Sequence, residues 1–219
     1  MPFLDISIPL RDGLVHWPGD PAPHIQRIRD MARSEVCNLT TLSMSAHTGT
    51  HMDAPLHFIK DGKSIDQMPL TATVGPARVI EIKDPESIRV PELKPHRLKP
   101  GERLLFKTRN SRRSWKSDKF DEDFVYISKE AAQYLVERKI QTVGVDYLSV
   151  GGFKRDGVET HQTLLGAGIW VIECLNLAKV KPGRYDLICL PLKVLGAEGA
   201  PARAILRPAR STKGASSSP

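Results

Sequence analysis

Three imidazoles and a carboxylate stand within eleven residues in His47-Thr-Gly-Thr-His51-Met-Asp53-Ala-Pro-Leu-His57. A lone histidine is ordinarily a satisfied core side chain, but nitrogen and oxygen donors at this density form a ligand set that suits Zn²⁺ or Mn²⁺. No Lys or Arg interrupts the stretch to compete for the carboxylate. The chemistry such a site offers is hydrolysis, because a divalent ion lowers the pKa of bound water from about 15.7 towards roughly 7 and so supplies hydroxide at neutral pH. Successive spacings of four, two and four would set all four side chains on one face of an extended chain. Gly49 and Pro55 argue against a helix, so His47 and His51 read as extended-plus-turn, not as the histidine pair of a zincin helix.

Two later residues belong to the same chemistry. Glu173 falls inside the apolar run Ile169-Trp-Val-Ile-Glu-Cys-Leu175, which reads as a buried strand. An ionised carboxylate there needs a partner, either a metal cation or an arginine. His161, on a short helix just before that run, either brings another imidazole to the same place or is an exposed helix residue. Trp17, in the turn-rich Trp17-Pro-Gly-Asp20 loop, either stacks on an aromatic substrate or anchors the loop.

The elements that position these groups are mostly strands. Residues 3–10 read as a first strand. Leu39 to Ala46 alternates, with Leu42, Met44 and Ala46 on one side and Thr41, Ser43, Ser45 and His47 on the other. Residues 78–83 and 103–107 form two more strands. Ser128 caps a helix from Lys129 to about Arg138, between the runs Phe124–Ile127 and Thr142–Val145, which suggests a βαβ unit with those two strands parallel. A glycine-rich loop, a short helix from near Glu159, the strand holding Glu173 and two late strands (185–190 and 202–206) follow. The expectation is a mixed, strand-rich α/β fold in one domain, residues 1–208, with a disordered small and polar tail over 209–219.

The chain has 219 residues, enough for one real core. No apolar stretch approaches the roughly 18–20 residues of a membrane span, and the N-terminus lacks the pattern of a signal peptide. Cys37, Cys174 and Cys189 are odd in number and far apart, which argues against a disulfide framework and for a cytoplasmic protein. Net charge is +7, concentrated in Lys107 to Lys119 and near the C-terminus. A basic run holding one tryptophan could track phosphates, but no nucleic-acid motif accompanies it, so a solvated loop and a basic tail are the better reading.

The segment H-T-G-T-H-M-D-A-P-L-H resembles the H-x-G-T-H-x-D-x-P-x-H signature of the cyclase-like metal-dependent hydrolases. Bacterial kynurenine formamidases are their best-known members, and isatin hydrolases are relatives. The resemblance runs from about Asp5 to Pro208 and takes in Asp5-Ile-Ser-Ile-Pro-Leu10, Trp17-Pro-Gly-Asp20 and the late His161…Glu173 pair. It implies a swivelling β/β/α fold, a homo-oligomer (dimer or tetramer) and two divalent metal ions. His47, His51 and Asp53 would hold the first ion, Asp53 also bridging to the second. His161 would hold the second and Glu173 both. His57 would be the proton donor and acceptor, and Trp17 a wall of the substrate pocket. The implied reaction is hydrolysis of N-formyl-L-kynurenine to kynurenine and formate, with another cyclic or aryl amide, imide or lactone as the alternative; outside enzymes, the rival reading of the residues is a non-catalytic metal or nucleic-acid binding protein. Formamidases usually read D-x-P-S-x-D where this chain has Asp146-Tyr-Leu-Ser-Val-Gly151, a departure that bears on the substrate. Isatin hydrolases tend to carry an amide where Glu173 stands, which favours the two-metal formamidase type.

Overall fold

Short apolar runs punctuated by Pro and Gly become strands, and their two-sided hydrophobicity decides where they sit. The computed structural model describes residues 2–209. The tail expected over 209–219 lies outside the described residues, apart from Ala209. In chain order the strands are β1 (Leu4–Asp5), β2 (His24–Arg29), β3 (Leu39–Ser43), β4 (His51–Asp53), β5 (Val74–Glu81), β6 (Ser87–Ile88), β7 (Arg103–Lys107), β8 (Tyr126–Ile127), β9 (Thr142–Val145), β10 (Trp170–Glu173), β11 (Gly183–Pro191) and β12 (Gly199–Pro208). The helices are α1 (Val90–Leu93), α2 (Asn110–Arg113), α3 (Lys129–Glu137) and α4 (Gly157–Gly166).

The main sheet runs β1-β12-β11-β5-β7-β9-β10-β4, and β4 pairs again with β12. That second pairing closes seven strands into a barrel, with β1 attached to the later part of β12. Its centre, β5-β7-β9-β10, is parallel and the remainder antiparallel. The parallel strands are apolar on both faces, as parallel sheets require. On β7, Leu105 joins Met52, Ile172 and Leu187 in the barrel interior. Its neighbours Leu104 and Phe106 face the layer that packs Leu135 of α3 and Leu164 of α4. This mixed α/β architecture is the one the sequence led us to expect.

Four local expectations are corrected. Of residues 3–10 only Leu4–Asp5 is a strand, because after Ile6 donates to the Ala204 carbonyl the Ser7 hydroxyl takes the Ala204 N–H in place of a backbone carbonyl. The strand from Leu39 stops at Ser43 and is exposed on both faces, since it pairs only with β2 in a hairpin outside the barrel. Phe124–Ile127 yields only β8, which pairs with β6 in a small separate sheet. The parallel neighbours of β9 are instead β7 and β10. Finally, the basic stretch is not simply a solvated loop. Lys107 is buried with Nζ donating to the Val180 carbonyl at 2.6 Å, and Trp115 Nε1 donates to the Leu175 carbonyl at 3.1 Å. The capped helix is as expected, with Ser128 Oγ accepting from the Ala131 N–H.

Candidate metal centre and catalytic cavity

The motif does not run as one strand; two turns fold it back on itself. His47 lies in the turn after β3, where Gly49 adopts φ 65°, a left-handed conformation that costs a glycine little. The chain then enters β4, where alternation holds. His51 and Asp53 share one face, while Met52 points into the barrel interior. Pro55 opens a single 3₁₀ turn, Pro55–His57, at the position where its missing N–H matters least. That turn brings the His57 ring over His47, stacked at 4.0 Å.

Pairing on both sides of β4 completes the cluster. In the β4–β10 register His51 lies opposite Glu173, so their side chains meet on one face. On the β12 side Gly199 lies opposite Asp53. A Cβ on Gly199 would fall 2.7 Å from His47 Cε1, so the glycine makes room for that ring. His161 arrives from the second turn of α4, its ring stacked on Phe58 at 4.3 Å.

The two buried carboxylates each face two ways. Asp53 Oδ1 lies 2.9 Å from His47 Nδ1 and 3.3 Å from His51 Nε2, while its Oδ2 lies 3.9 Å from His161 Nε2. Glu173 Oε2 lies 3.3 Å from His51 Nε2, and its Oε1 lies 3.4 Å from His161 Nε2. Ligand atoms held about 2.1 Å from one first-row metal are themselves separated by about 3.0–3.5 Å, so most of these edges match a coordination shell. Glu173 Oε1 also accepts from the Val150 N–H at 2.7 Å, which fixes the carboxylate. The arginine considered as a partner for Glu173 is not there; its neighbours are imidazoles.

Whether this set fits a metal is testable on its unsatisfied atoms. His47 Nε2, His51 Nε2 and Asp53 Oδ2 are buried without a hydrogen-bond partner. Leaving one such atom unpaired typically costs about 1–3 kcal/mol, and three of the cluster's residues each carry one. His51 and His161 also direct Nδ1 at backbone carbonyls, Gly49 at 2.8 Å and Gly157 at 2.6 Å. Those bonds place the N–H on Nδ1 and leave the Nε2 lone pair facing the carboxylates, as in metal-binding histidines. The donor set fits divalent cations.

Electrostatics agree. Burial alone would lower the pKa of His51, yet Asp53, Cys174 and Glu173 raise it well above the ordinary histidine value. Burial raises Asp53, but the adjoining imidazoles of His47 and His51 carry it well below the usual carboxylate range. Burial and the charge of Asp53 push Glu173 upward, and His161 and His51 outweigh them to leave it lowered. The cluster therefore attracts positive charge. His57 differs: burial lowers its pKa, which keeps the imidazole neutral and able to accept a proton near pH 7. It also lies close enough to His47 and Asp53 to share a ligand group with them.

Above the cluster opens a cavity of about 540 Å³, lined by Trp17, His47, His57, His161, Glu173 and others. That is within the usual small-molecule range of about 300–1,000 Å³. Trp17 lines the cavity and is anchored there by edge-on packing against Phe120 (5.4 Å), Phe153 (5.5 Å) and Phe124 (6.4 Å). Leu148 and Ser149, from the segment that departs from the formamidase pattern, also line it. Asp146 in that segment accepts four hydrogen bonds, from the N–H and hydroxyl of both Thr108 and Ser111. Sequence reasoning missed Glu198, 3.5 Å from His47 Nε2. It also missed Phe58, Lys154 and Arg155 in the cavity wall. Nothing in sequence distinguishes Glu198, which arrives through the β11–β12 connection.

Comparison with known proteins places this geometry in company. The family described as "Putative cyclase" matches residues 4–151. Kynurenine formamidases of Bacillus cereus and Bacillus mycoides are each 37% identical over 206 residues, covering 94% of this chain and 97% of the relative. The solved structure of a predicted metal-dependent hydrolase from Bacillus stearothermophilus superposes with a TM-score of 0.81 at 32% identity, covering 94% and 97% of the two chains. Isatin hydrolase A from Labrenzia aggregata superposes with a TM-score of 0.83 at 26% identity, covering 95% and 94%.

Proposed function

The chain belongs to the Cyclase family, and from that premise we propose that it is a metal-dependent amide hydrolase that converts N-formyl-L-kynurenine to kynurenine and formate. The observation that carries this reading is the pair of buried carboxylates, each turning one oxygen towards His51 and the other towards His161. We assign His47, His51 and Asp53 to one divalent ion, Asp53 and His161 to a second, and Glu173 to both, with Zn²⁺ as the ion and Mn²⁺ as a substitute. When bound, the ions supply Lewis-acid charge that acidifies water and polarises the scissile carbonyl.

The remaining steps fall to the side chains. Trp17 offers an aromatic wall against which the aryl ring of the substrate lies. His57, kept neutral by burial, takes a proton from the attacking water on its imidazole nitrogen. It returns that proton to the amine nitrogen as the C–N bond breaks, so the products are formate and the free aryl amine. An aryl amine leaves more readily than an alkyl amine, which suits an N-formyl anilide.

Residues 1–208 act as one hydrolase domain in this reading, since the barrel joins β1 near the N-terminus to β12 ending at Pro208. A homo-oligomer is also inferred, on a shallow groove where Leu10, Leu42, Leu190 and Leu192 stand exposed. No helix among the described residues is long and apolar enough to cross a membrane. The assignment to the cytoplasm rests on three free cysteines.

The test is turnover of N-formyl-L-kynurenine by purified protein loaded with Zn²⁺ or Mn²⁺, with and without chelator, and isatin run in parallel. Rapid, chelator-sensitive deformylation is expected. Cleavage of isatin in its place would move the substrate to a cyclic amide. A metal-loaded protein that cleaves no amide, imide or lactone would overturn the reading.

A further inference from the structure

The wall of the catalytic cavity carries charges that the hydrolytic cluster does not use. Lys154 and Arg155 line it from the loop between β9 and α4, and Asp20 lines it from the loop that holds Trp17. Lys154 is exposed and its ammonium lies 4.7 Å from the centroid of the Phe153 ring. Phe153 in turn packs edge-on against Phe120 at 4.8 Å and Trp17 at 5.5 Å. The cation thus lies beside the aromatic wall, without a carboxylate to neutralise it among the salt bridges of the described residues. Arg155 leans instead on the Tyr126 side chain. Asp20 is set by a turn in which its N–H donates to the Trp17 carbonyl at 3.0 Å, and it too has no salt-bridge partner among the described residues. One cavity thus has in its lining, together with Trp17, a cation and an anion that lack salt-bridge partners among the described residues.

We propose that Lys154 and Asp20 read the amino-acid tail of the substrate, Lys154 its carboxylate and Asp20 its ammonium, and so select zwitterionic aryl formamides over tail-less ones. The assignment rests on the amide-hydrolase reading of the same site. A plain hydrolytic cavity for neutral anilides would have no use for a charge of each sign in its lining. A charge-assisted contact to each end of a zwitterion gives both of them a partner. Arg155 adds positive potential on the Lys154 side, which favours the carboxylate end there.

The experiment compares kcat/KM for N-formyl-L-kynurenine with that for formanilide, which has the scissile bond but no tail. Wild-type protein should prefer the tailed substrate. Lys154→Gln should lower the ratio of the two kcat/KM values by about tenfold, the scale of one charge-assisted contact, through a raised KM for the tailed substrate. Asp20→Asn should do the same, and a tail capped as its methyl ester should lose the effect of Lys154→Gln while keeping that of Asp20→Asn. An unmoved ratio in both variants, with the wild type cleaving both amides, overturns the proposal and leaves the amide-hydrolase reading intact. A wild type that cleaves neither formamide overturns that reading and this proposal with it.

Discussion

Replacing Glu173 with glutamine tests the two-ion arrangement most directly. The change keeps volume and removes one negative charge whose two oxygens face two different imidazole groups. Around the first position His47, His51 and Asp53 Oδ1 survive. Around the second only His161 and Asp53 Oδ2 remain, so it should empty first. The Val150 N–H, 2.7 Å from Oε1, fixes which end of the amide is oxygen. The amide oxygen left facing His161 is neutral and a far weaker ligand than the carboxylate, while the NH₂ group replaces Oε2 beside His51, where His47, His51 and Asp53 still supply three ligands to the first position. Loss of a hydrogen-bonded group beyond the ligands typically costs about 10–100-fold in metal affinity. Loss of a shared anionic ligand should therefore cost at least about 100-fold at the second position.

Elemental analysis after equilibration with excess Zn²⁺ and desalting should find metal content falling from near two to near one per chain. Turnover should drop at least about tenfold from the lost charge stabilisation. β10 should stay folded, because a neutral amide is cheaper to bury than a carboxylate that lacks its cation. Far-UV circular dichroism and thermal unfolding check that control. A variant that retains two ions with native affinity, or a wild type that binds only one ion in excess metal, would refute the reasoning.

Three further outcomes are expected. His57→Ala should cut turnover about 10²–10⁴-fold while leaving bound metal unchanged; loss of metal in the same analysis would make His57 a ligand beside His47 and Asp53. Gly199→Ala puts a methyl group 2.7 Å from His47 Cε1 and 2.8 Å from the Met52 carbonyl, so a metal titration should find affinity lowered about tenfold or more. Native affinity in that variant would mean His47 is free to move. Neutralising Arg112, Arg113 and Lys116 together should leave kcat and KM within about twofold, since they border a groove beside Glu81 and Lys83 and are absent from the lining of the catalytic cavity. The lost Arg113–Asp121 pair, exposed on its arginine side, should lower stability by about 1 kcal/mol, and a large rise in KM would show that this segment reaches the substrate.

The sequence by itself determined the donor set. Imidazole and carboxylate are the side chains that bind such ions, and their density between His47 and His57 is a local property that needs no fold to be seen. A carboxylate in an apolar run, as at Glu173, likewise announces a buried partner because an unpaired charge cannot stay there. The alternation that puts His51 and Asp53 on one face and Met52 on the other is also local, since backbone pleating imposes it. Tertiary structure decided the rest. His47 and His57 join the cluster through turns at Gly49 and Pro55, not through one continuous strand, so sequence spacing alone misplaced them. The barrel register decided that Glu173 faces His51 and that Gly199 clears space for His47, and registers follow from which distant strands pair. For the same reason β9 sits between β7 and β10 and not beside Phe124–Ile127, whose Phe124 ring packs against Trp17. Glu198, Phe58 and Lys154 come together only where separate loops meet over the cavity, because nothing local to those residues sets them apart from any other glutamate, phenylalanine or lysine.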